Sequence, residues 1–415
     1  MIGPILAVSM PDRLSKDNPV PSRSAGEPGG PGRLGMPGGF AVVTVGKWLS
    51  NVAFRLVFPF LPRIASGLGV SLSTMGTALA VREVAGLTNP ALGRAADRRG
   101  HGRAMVTGLV GLSLALLLLG ISTGIVVFTV GLILLSVAKS LFDVAAAAWV
   151  GDAVPFQVRG RAIGMLETSW ALAFVIGMPI AALLIRAGTW RLPFLITAGA
   201  CVAMAAVAAS MLSTERAQRH TDDDSRLRDI WTPVVAAAAS TFVFLGIGHS
   251  MILVTFSSWL EDTHGVSIGE LGLTAFVIGT AELLGSAGTA AFGDRIGLQR
   301  SLVVGLGLAS GASLLLMVGD VALWTALATM AVYFVIVEYT IVVLLSLFSE
   351  IAPLARGAAM GVAFAGFSIG HAIGAVLGTQ IYERIGMTEN LIGMAIAMAI
   401  AMIPARRVVP AEAVA

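Results

Sequence analysis

Long apolar segments alternate with short polar turns along the chain between residues 40 and 405. Most of these segments are about 20 residues long, which is the length that an α-helix needs to cross the hydrocarbon core of a bilayer. A longer polar stretch, residues 213–229, divides the segments into two sets. The pattern predicts twelve membrane-spanning helices in two sets of six, at residues 40–62, 71–93, 104–121, 124–150, 159–185 and 190–212, and then at 232–260, 267–291, 301–319, 321–348, 357–381 and 388–405.

The composition indicates the same class of protein. Hydrophobic residues make up 56% of the 415 residues and charged residues only 12%, whereas a soluble domain carries about 25% charged residues. So few charges cannot cover a water-facing surface, and the predicted fold class is an all-α polytopic membrane protein. The single cysteine, Cys201, excludes a disulfide framework and a cysteine metal site. A net charge of +3 gives no reason to expect a nucleic-acid partner.

The domain organisation follows from the two sets of helices. Residues 1–38 are rich in Pro, Gly, Ser and Arg and are expected to form a disordered tail, although translation could also begin at Met10 or Met36. The remaining units are expected to be an N-terminal six-helix bundle at 39–212, a linker at 213–229, a C-terminal six-helix bundle at 230–408 and a short tail at 409–415.

The distribution of positive charge predicts the orientation in the membrane. If the N-terminus is cytoplasmic, most of the 27 Lys and Arg residues fall in cytoplasmic segments. Only Arg63, Arg186, Arg191 and Arg384 then fall in outside segments. Because Lys and Arg are enriched in cytoplasmic loops, we expect both termini and the linker to be cytoplasmic, in a multi-pass protein of the cell membrane.

An internal duplication joins the two sets of helices. The pattern D-R-x-G-x-x-R begins at Asp97, after the second helix, and recurs at Asp294, after the eighth. Arg159-Gly160 recurs as Arg356-Gly357, 62 residues after each aspartate. Gly69-Val70-Ser71 likewise recurs as Gly265-Val266-Ser267. Each half has six helices, so the repeats share one orientation and a binding site is expected between them, near the midplane.

The turn from Gly93 to Gly100 resembles the G-x-L-a-D-r-x-G signature of major facilitator transporters, with Ala95 in place of the usual leucine. The resemblance implies two parallel-related six-helix repeats, and a turn that latches the halves together in the outward-open state. A turn that only sets the topology is the alternative interpretation. The candidate latch residues are Gly93, Asp97, Arg98, Gly100, Asp294, Arg295 and Gly297.

Ionisable residues inside the predicted helices are candidates for the transport site, because charges at bilayer depth are costly and usually face a cavity or a partner. The third, sixth, ninth and twelfth helices carry none in their central portions, so the other eight can line a polar interior. With one central tryptophan, the candidates for the proton or substrate pathway are Arg55, Arg82, Glu83, Lys139, Asp143, Glu167, Trp170, His249, Glu282, Glu338 and His371.

Two pairing expectations follow from the spacing. Lys139 and Asp143 lie four residues apart, so they share a helix face and are expected to pair. Their segment resembles the fourth-helix pattern of proton-coupled exporters, with Lys139 in place of arginine. Arg82 and Glu83 are adjacent and point to different sides, so each is expected to pair with another helix, and Arg55 and Glu167 are the candidate partners.

These features predict a secondary transporter in which two halves rock around a central cavity. No P-loop or other enzyme motif is present, so we expect neither enzymatic activity, direct ATP coupling nor a cofactor, and two histidines alone do not make a metal site. The expected partners are a small-molecule substrate, protons and the lipid bilayer, and the expected state is a monomer. Proton-coupled export of a small, partly apolar organic compound is the favoured function. The alternatives are symport-driven uptake of a sugar or organic acid, and a membrane sensor or scaffold that does not transport.

The proton switch is expected in the N-terminal half, where carboxylates and basic residues occur together. Its candidate carboxylates are Glu83, Asp143 and Glu167. The C-terminal half has no Lys or Arg at membrane depth and is expected to shape the substrate pocket.

Overall fold

The computed structural model describes the helices and most of the turns between them. It covers residues 36–84, 92, 96, 98, 100–212, 231–351 and 356–408.

The described residues form helices joined by short turns. In the N-terminal half the helices are α1 (Phe40–Arg55), α2 (Leu61–Leu68), α3 (Leu72–Val84), α4 (His101–Ile121), α5 (Ile125–Ala153), α6 (Phe156–Leu172), α7 (Met178–Ala187) and α8 (Leu192–Leu212), with a π-helical turn at Ala173–Gly177 between α6 and α7. In the C-terminal half they are α9 (Pro233–His264), α10 (Ile268–Ile296), α11 (Leu298–Leu315), a 3₁₀ turn at Leu316–Val321, α12 (Leu323–Ile351), α13 (Arg356–Arg384) and α14 (Met387–Ala405).

The membrane-spanning pattern agrees with the predicted class, but the count of twelve is not reached within the described ranges. Ten helical segments there are long and apolar enough to cross a membrane, and α2 with α3, bent by 107°, would make eleven. The predicted first helix, 40–62, is wrong as one piece, because α1 ends at Arg55 and the chain turns before α2. Pro59 and Pro62 explain the break, since proline lacks the N–H for a helix and disfavours helical geometry in the residue before it.

The duplicated sequence motifs have duplicated backbone conformations. Gly69 and Gly265 end α2 and α9 in the left-handed region, with φ of 67° and 62°. Gly100 and Gly297, the glycines of the two D-R-x-G patterns, both have a φ of 85° and immediately precede α4 and α11. Side chains rarely adopt such angles, which explains why glycine occurs at the same place in both halves.

The halves meet along several helix pairs. Helix α3 packs against α13, α2 packs against α9, and α10 packs against α6, α7 and the π-helical turn between them. Leu72, at the start of α3, and Glu383, at the end of α13, contact each other across the halves. We call the face on which they lie the distal face.

Candidate functional site

A buried ion pair joins the two halves at the centre of the molecule. Arg55, the last residue of α1, forms two hydrogen bonds with Glu282 in the middle of α10, Nη1 to Oε2 and Nη2 to Oε1, each 2.6 Å long. The two side chains are only 2% and 3% exposed. A bidentate guanidinium–carboxylate pair is among the strongest polar contacts in proteins. Charges buried this deeply are costly to separate, because neither partner then has water to replace the other.

Aromatic rings of α6 and of the π-helical turn that follows it enclose the same guanidinium. The Cζ atom of Arg55 lies 3.4 Å from the ring centroid of Phe174 and 4.4 Å from that of Trp170. Arg55 Nη1 also donates to the backbone carbonyl of Trp170 over 3.1 Å. This carbonyl lies just before the π-helical turn that precedes Pro179, where the regular backbone ladder is interrupted. Of the sequence candidates, Arg55, Trp170 and Glu282 are therefore brought together.

The expectation for Arg82 and Glu83 is wrong, because they pair with each other. Arg82 donates to Glu83 Oε1 from Nη2 over 2.6 Å and from Nε over 3.2 Å. Nη1 of Arg82 donates to the carbonyl of Phe54, and the guanidinium lies 4.0 Å from the Phe54 ring centroid. Adjacent Cβ atoms do diverge on a helix, but long side chains can curl back. Because both residues are buried, little water competes for either charge, and the attraction between the two side chains is strong.

The expected pair of Lys139 and Asp143 is present, with Nζ 2.5 Å from Oδ2. It belongs to a larger network that the sequence interpretation missed. Lys47 Nζ lies 3.0 Å from the other oxygen of Asp143, as an ion pair without hydrogen-bond alignment. Lys139 also donates to Asn51 Oδ1 over 2.9 Å, and Asn51 Nδ2 donates to Ser169 over 2.9 Å. One carboxylate thus faces two lysines.

A signal for the missed residues was present in the sequence. Lys47, Asn51 and Arg55 are spaced four residues apart on α1, so they share one helix face. Each position on this stripe contacts a different partner: Lys47 contacts α5, Asn51 contacts α5 and α6, and Arg55 contacts α6 and α10. A polar stripe on a membrane helix marks the face that is turned inward.

The remaining N-terminal candidate, Glu167, interacts electrostatically with Lys47 and Lys139 of this network but is not one of their ion-pair partners. It is exposed on α6, and among the residues that the structure describes no Lys or Arg lies within ion-pair distance of it. Glu167 is therefore not the partner of Arg82 that the sequence suggested.

The C-terminal candidates form a cluster of imidazole and phenyl rings. The rings of His249 and His371 are 5.5 Å apart between centroids, and Phe367 lies 4.3 Å from His371 and 6.4 Å from His249. Phe334 completes the cluster, with its ring at 5.6 Å from His249. His249 Nδ1 and His371 Nε2 are buried and have no hydrogen-bond partner among the described residues.

Glu338 lies on α12, one turn after Phe334. Its carboxylate accepts a hydrogen bond from Ser286 on α10 over 3.0 Å. Among the described residues no group of three His, Cys, Asp or Glu side chains could hold a metal ion.

The candidate latch residues are only partly described. Gly93 and Asp97 lie outside the described residues, as does the side chain of Asp294. Arg98 and Arg295 are exposed, and Gly100 and Gly297 make the turns described above. The contact that the latch requires, between the first turn and the other half, stays a prediction.

A helical bundle whose apolar spans enclose paired charges at the boundary between two halves is the architecture of a multi-pass membrane protein. The profile of the Major Facilitator Superfamily matches residues 43–342 and 238–414 of the chain. The protein belongs to this family. As the sequence suggested, it is a secondary transporter and not an enzyme.

Several bacterial transporters are similar in sequence. The uncharacterized MFS-type transporter YwfA of Bacillus subtilis (strain 168) is 22% identical over 326 residues, which cover 77% of this chain and 79% of YwfA. Multidrug resistance protein 2 of the same organism is 27% identical over 238 residues, covering 54% of this chain and 59% of that protein. Multidrug resistance protein MdtG of Serratia proteamaculans (strain 568) is 27% identical over 277 residues, covering 63% and 67%. These relatives support the efflux-like branch that the sequence suggested.

Solved transporter structures share the fold. A point mutant of the nucleoside transporter NupG has a TM-score of 0.74 at 12% identity, covering 88% of this chain and 98% of NupG. A D-xylose-proton symporter has a TM-score of 0.74 at 15% identity, covering 89% and 97%. At these identities the likeness concerns the fold alone.

Proposed function

We propose that the protein exports a small, partly apolar organic compound in exchange for protons, and that the Arg55–Glu282 pair couples proton movement to the rocking of the halves. Two relatives carry the name multidrug resistance protein, which supports export. The observation that carries the proposal is the pair itself, because it connects α1 of one half to α10 of the other while fully buried.

The coupling follows from the cost of separating the pair. When the distal face opens, the halves part and α1 moves relative to α10. A guanidinium keeps its charge under all conditions, so Arg55 cannot be neutralised by losing a proton. An unpaired buried carboxylate costs several kcal/mol, which a proton on Glu282 removes. Arg55 then keeps the Phe174 and Trp170 rings and the Trp170 carbonyl as partners. Proton uptake and movement of the halves are thereby linked.

These contacts move the proposed proton switch from the N-terminal half to the boundary between the two halves. Asp143 faces both Lys47 and Lys139, so a proton added there leaves two lysines without their carboxylate. Glu282 has one cationic partner and lies on the moving boundary. Glu282 is therefore the first candidate for the proton-binding residue, with Asp143 and Glu167 as supporting candidates.

The substrate is proposed to bind beside this pair. The ring cluster of His249, Phe334, Phe367 and His371 offers flat apolar surfaces, with two ring nitrogens that have no partner among the described residues. Such a surface suits a partly apolar compound that carries a hydrogen-bonding group. We further propose that the protein acts as a monomer in the cell membrane, with both termini cytoplasmic.

The test measures proton movement in proteoliposomes that contain a pH-sensitive dye in the lumen. Compounds from a panel of lipophilic organic molecules, sugars and organic acids are added outside with no imposed gradient. Exchange makes the lumen more alkaline, because a proton leaves for each substrate that enters. Symport makes it more acidic, and a protein that does not transport causes neither change. The proposal predicts alkalinisation with lipophilic compounds, and the opposite sign would contradict it.

The role of the pair is tested with Glu282→Gln, with Asp143→Asn and Glu167→Gln for comparison. We expect Glu282→Gln to abolish the proton signal while exchange of labelled for unlabelled substrate continues. Glu389→Gln is the control, because Glu389 is exposed at the start of α14 and belongs to no part of the network. If Glu282→Gln still drives substrate uphill under a pH gradient, the proton binds elsewhere.

A further inference from the structure

The start of α3 is capped by a carboxylate from the other half of the protein. Ser71 precedes the helix, and its hydroxyl accepts a hydrogen bond from the backbone N–H of Thr74 over 3.1 Å. The N–H groups of Leu72 and Ser73 donate to the two carboxylate oxygens of Glu383, over 2.6 and 3.0 Å. Glu383 lies in the last turn of α13. The first N–H groups of a helix have no partner within the helix, so Glu383 supplies what α3 lacks.

The repeated helix in the other half begins with a capping carboxylate from its own sequence. Ser267, the counterpart of Ser71, caps α10, and Glu270 three residues later accepts from the Ser267 backbone N–H over 2.7 Å. This is a capping box, in which the serine and the glutamate satisfy each other's backbone. The first half has Thr74 where the second has Glu270. The C-terminal half therefore has a capping carboxylate in its own sequence, whereas in the N-terminal half the cap is Glu383 from the other half.

We propose that Glu383 is a gating residue, whose carboxylate holds the distal face closed and must leave the start of α3 before that face can open. Its two hydrogen bonds are charge-assisted, and the positive end of the helix dipole adds to them. The inference applies to any coupling ion or transport direction, because alternating access needs the distal face to open in either case.

Neighbouring contacts show that the distal face is closed around this cap. Ser257 on α9 donates to the carbonyl of Phe58 over 3.1 Å, and Arg63 lies 3.4 Å from Glu261. The side chain of Arg63 is 49% exposed, and such exposed pairs contribute little to stability. Glu383 is itself exposed, but it accepts two hydrogen bonds from backbone groups at a helix start, whereas Arg63 and Glu261 form a single contact between two side chains.

The surroundings of Glu383 also allow it to leave. It lines a cavity of about 660 Å³ on the distal face, together with Asp262, Asp320 and Tyr382. Both aspartates already accept hydrogen bonds, from Tyr382 over 2.6 Å and from Trp259 over 2.7 Å. The cavity gives the released carboxylate space in which it can be hydrated. Glu383 can therefore alternate between a capping position and a solvated one.

The experiment measures opening of the distal face with spin labels. Cysteines replace Ser66 on α2 and Thr388 on α14, both exposed and on opposite halves, in a background that carries Cys201→Ser. Pulsed electron-spin distance measurements on the full chain in lipid nanodiscs then give the populations of closed and open states. We expect Glu383→Ala to raise the open population relative to the closed one roughly five- to tenfold, the effect of losing a charged helix cap. Glu383→Gln keeps a neutral acceptor and should give a smaller shift.

The matched control is Glu270→Ala. It removes a carboxylate from the equivalent helix start in the other half, but that carboxylate does not cross the boundary. We expect it to leave the distance distribution unchanged. If both alanine variants shift the distribution equally, loss of any helix cap explains the result and the proposal is overturned. If Glu383→Ala leaves the distribution unchanged, Glu383 does not gate the distal face and the proposal is likewise overturned.

Discussion

The buried pair makes a quantitative prediction that can be tested without knowing the substrate. Glu282→Gln keeps the shape of the side chain but removes its charge, and so leaves the Arg55 guanidinium buried and without its carboxylate. Removing one partner of a buried ion pair costs about 3–5 kcal/mol. Arg55 and Glu282 are only 2% and 3% exposed, so water cannot replace the lost partner. At about 2 °C per kcal/mol, the expected fall in the unfolding midpoint is on the order of 6–10 °C.

The protein contains its own reporter for this measurement. Cys201 is the single cysteine and is fully buried in α8. A dye that fluoresces on reaction with thiols therefore reports unfolding without any further substitution. The control is Glu261→Gln, which breaks the Arg63–Glu261 pair on the distal face. Because Arg63 is 49% exposed, that loss is expected to stay below about 1 kcal/mol, or about 2 °C.

A double variant tests whether the loss of stability comes from breaking the ion pair or from losing either side chain by itself. Arg55→Met together with Glu282→Leu replaces both charges with apolar groups. Such replacements of buried pairs are often neutral, or stabilising by about 1–4 kcal/mol. We expect the double variant to melt above either single variant, with a coupling of more than about 2 kcal/mol in the mutant cycle. This reasoning would be refuted if the double variant lost as much stability as the two single variants together. It would also be refuted by an unfolding midpoint of Glu282→Gln within a degree of the wild type.

Three further predictions concern the boundary, the turn and the topology. Gly76→Ala should favour opening of the distal face, because a Cβ there would collide with Thr379 Oγ1 of the other half. Gly199→Ala, where a Cβ meets open space, should have no such effect in the spin-label assay. Asp97→Ala should slow transport in proteoliposomes while expression stays largely intact, because a latch acts on the exchange between conformations. Normal transport by this variant would mean that the turn only sets the topology. Cysteines placed at positions 213 and 411, in a background that lacks the native cysteine, should resist an impermeant thiol reagent in intact cells, and labelling from outside would reverse the proposed orientation.

Features that depend on short stretches of chain were predictable from the sequence. The apolar spans follow from composition over about 20 residues, and the two halves follow from motifs that recur in the same order. The glycines of those motifs, such as Gly100 and Gly297, adopt a φ of 85° in both halves. The pairing of Lys139 with Asp143 was also predictable, because one turn of one helix brings them together. Each of these results rests on local geometry, which the order of residues determines directly.

Only the tertiary structure decided which distant groups meet. Arg55 lies 227 residues from Glu282, and Leu72 lies 311 residues from Glu383. Charge alone did not select these partners, since several acids and bases occur at similar depth, and it suggested the wrong partners for Arg82 and Glu83. The choice depends on which helix faces pack together and on how far each side chain reaches. Helix packing is a property of the whole fold. In lipid it is driven by close contact between helix surfaces, and the order of residues along one helix does not show which surface of another helix it will meet.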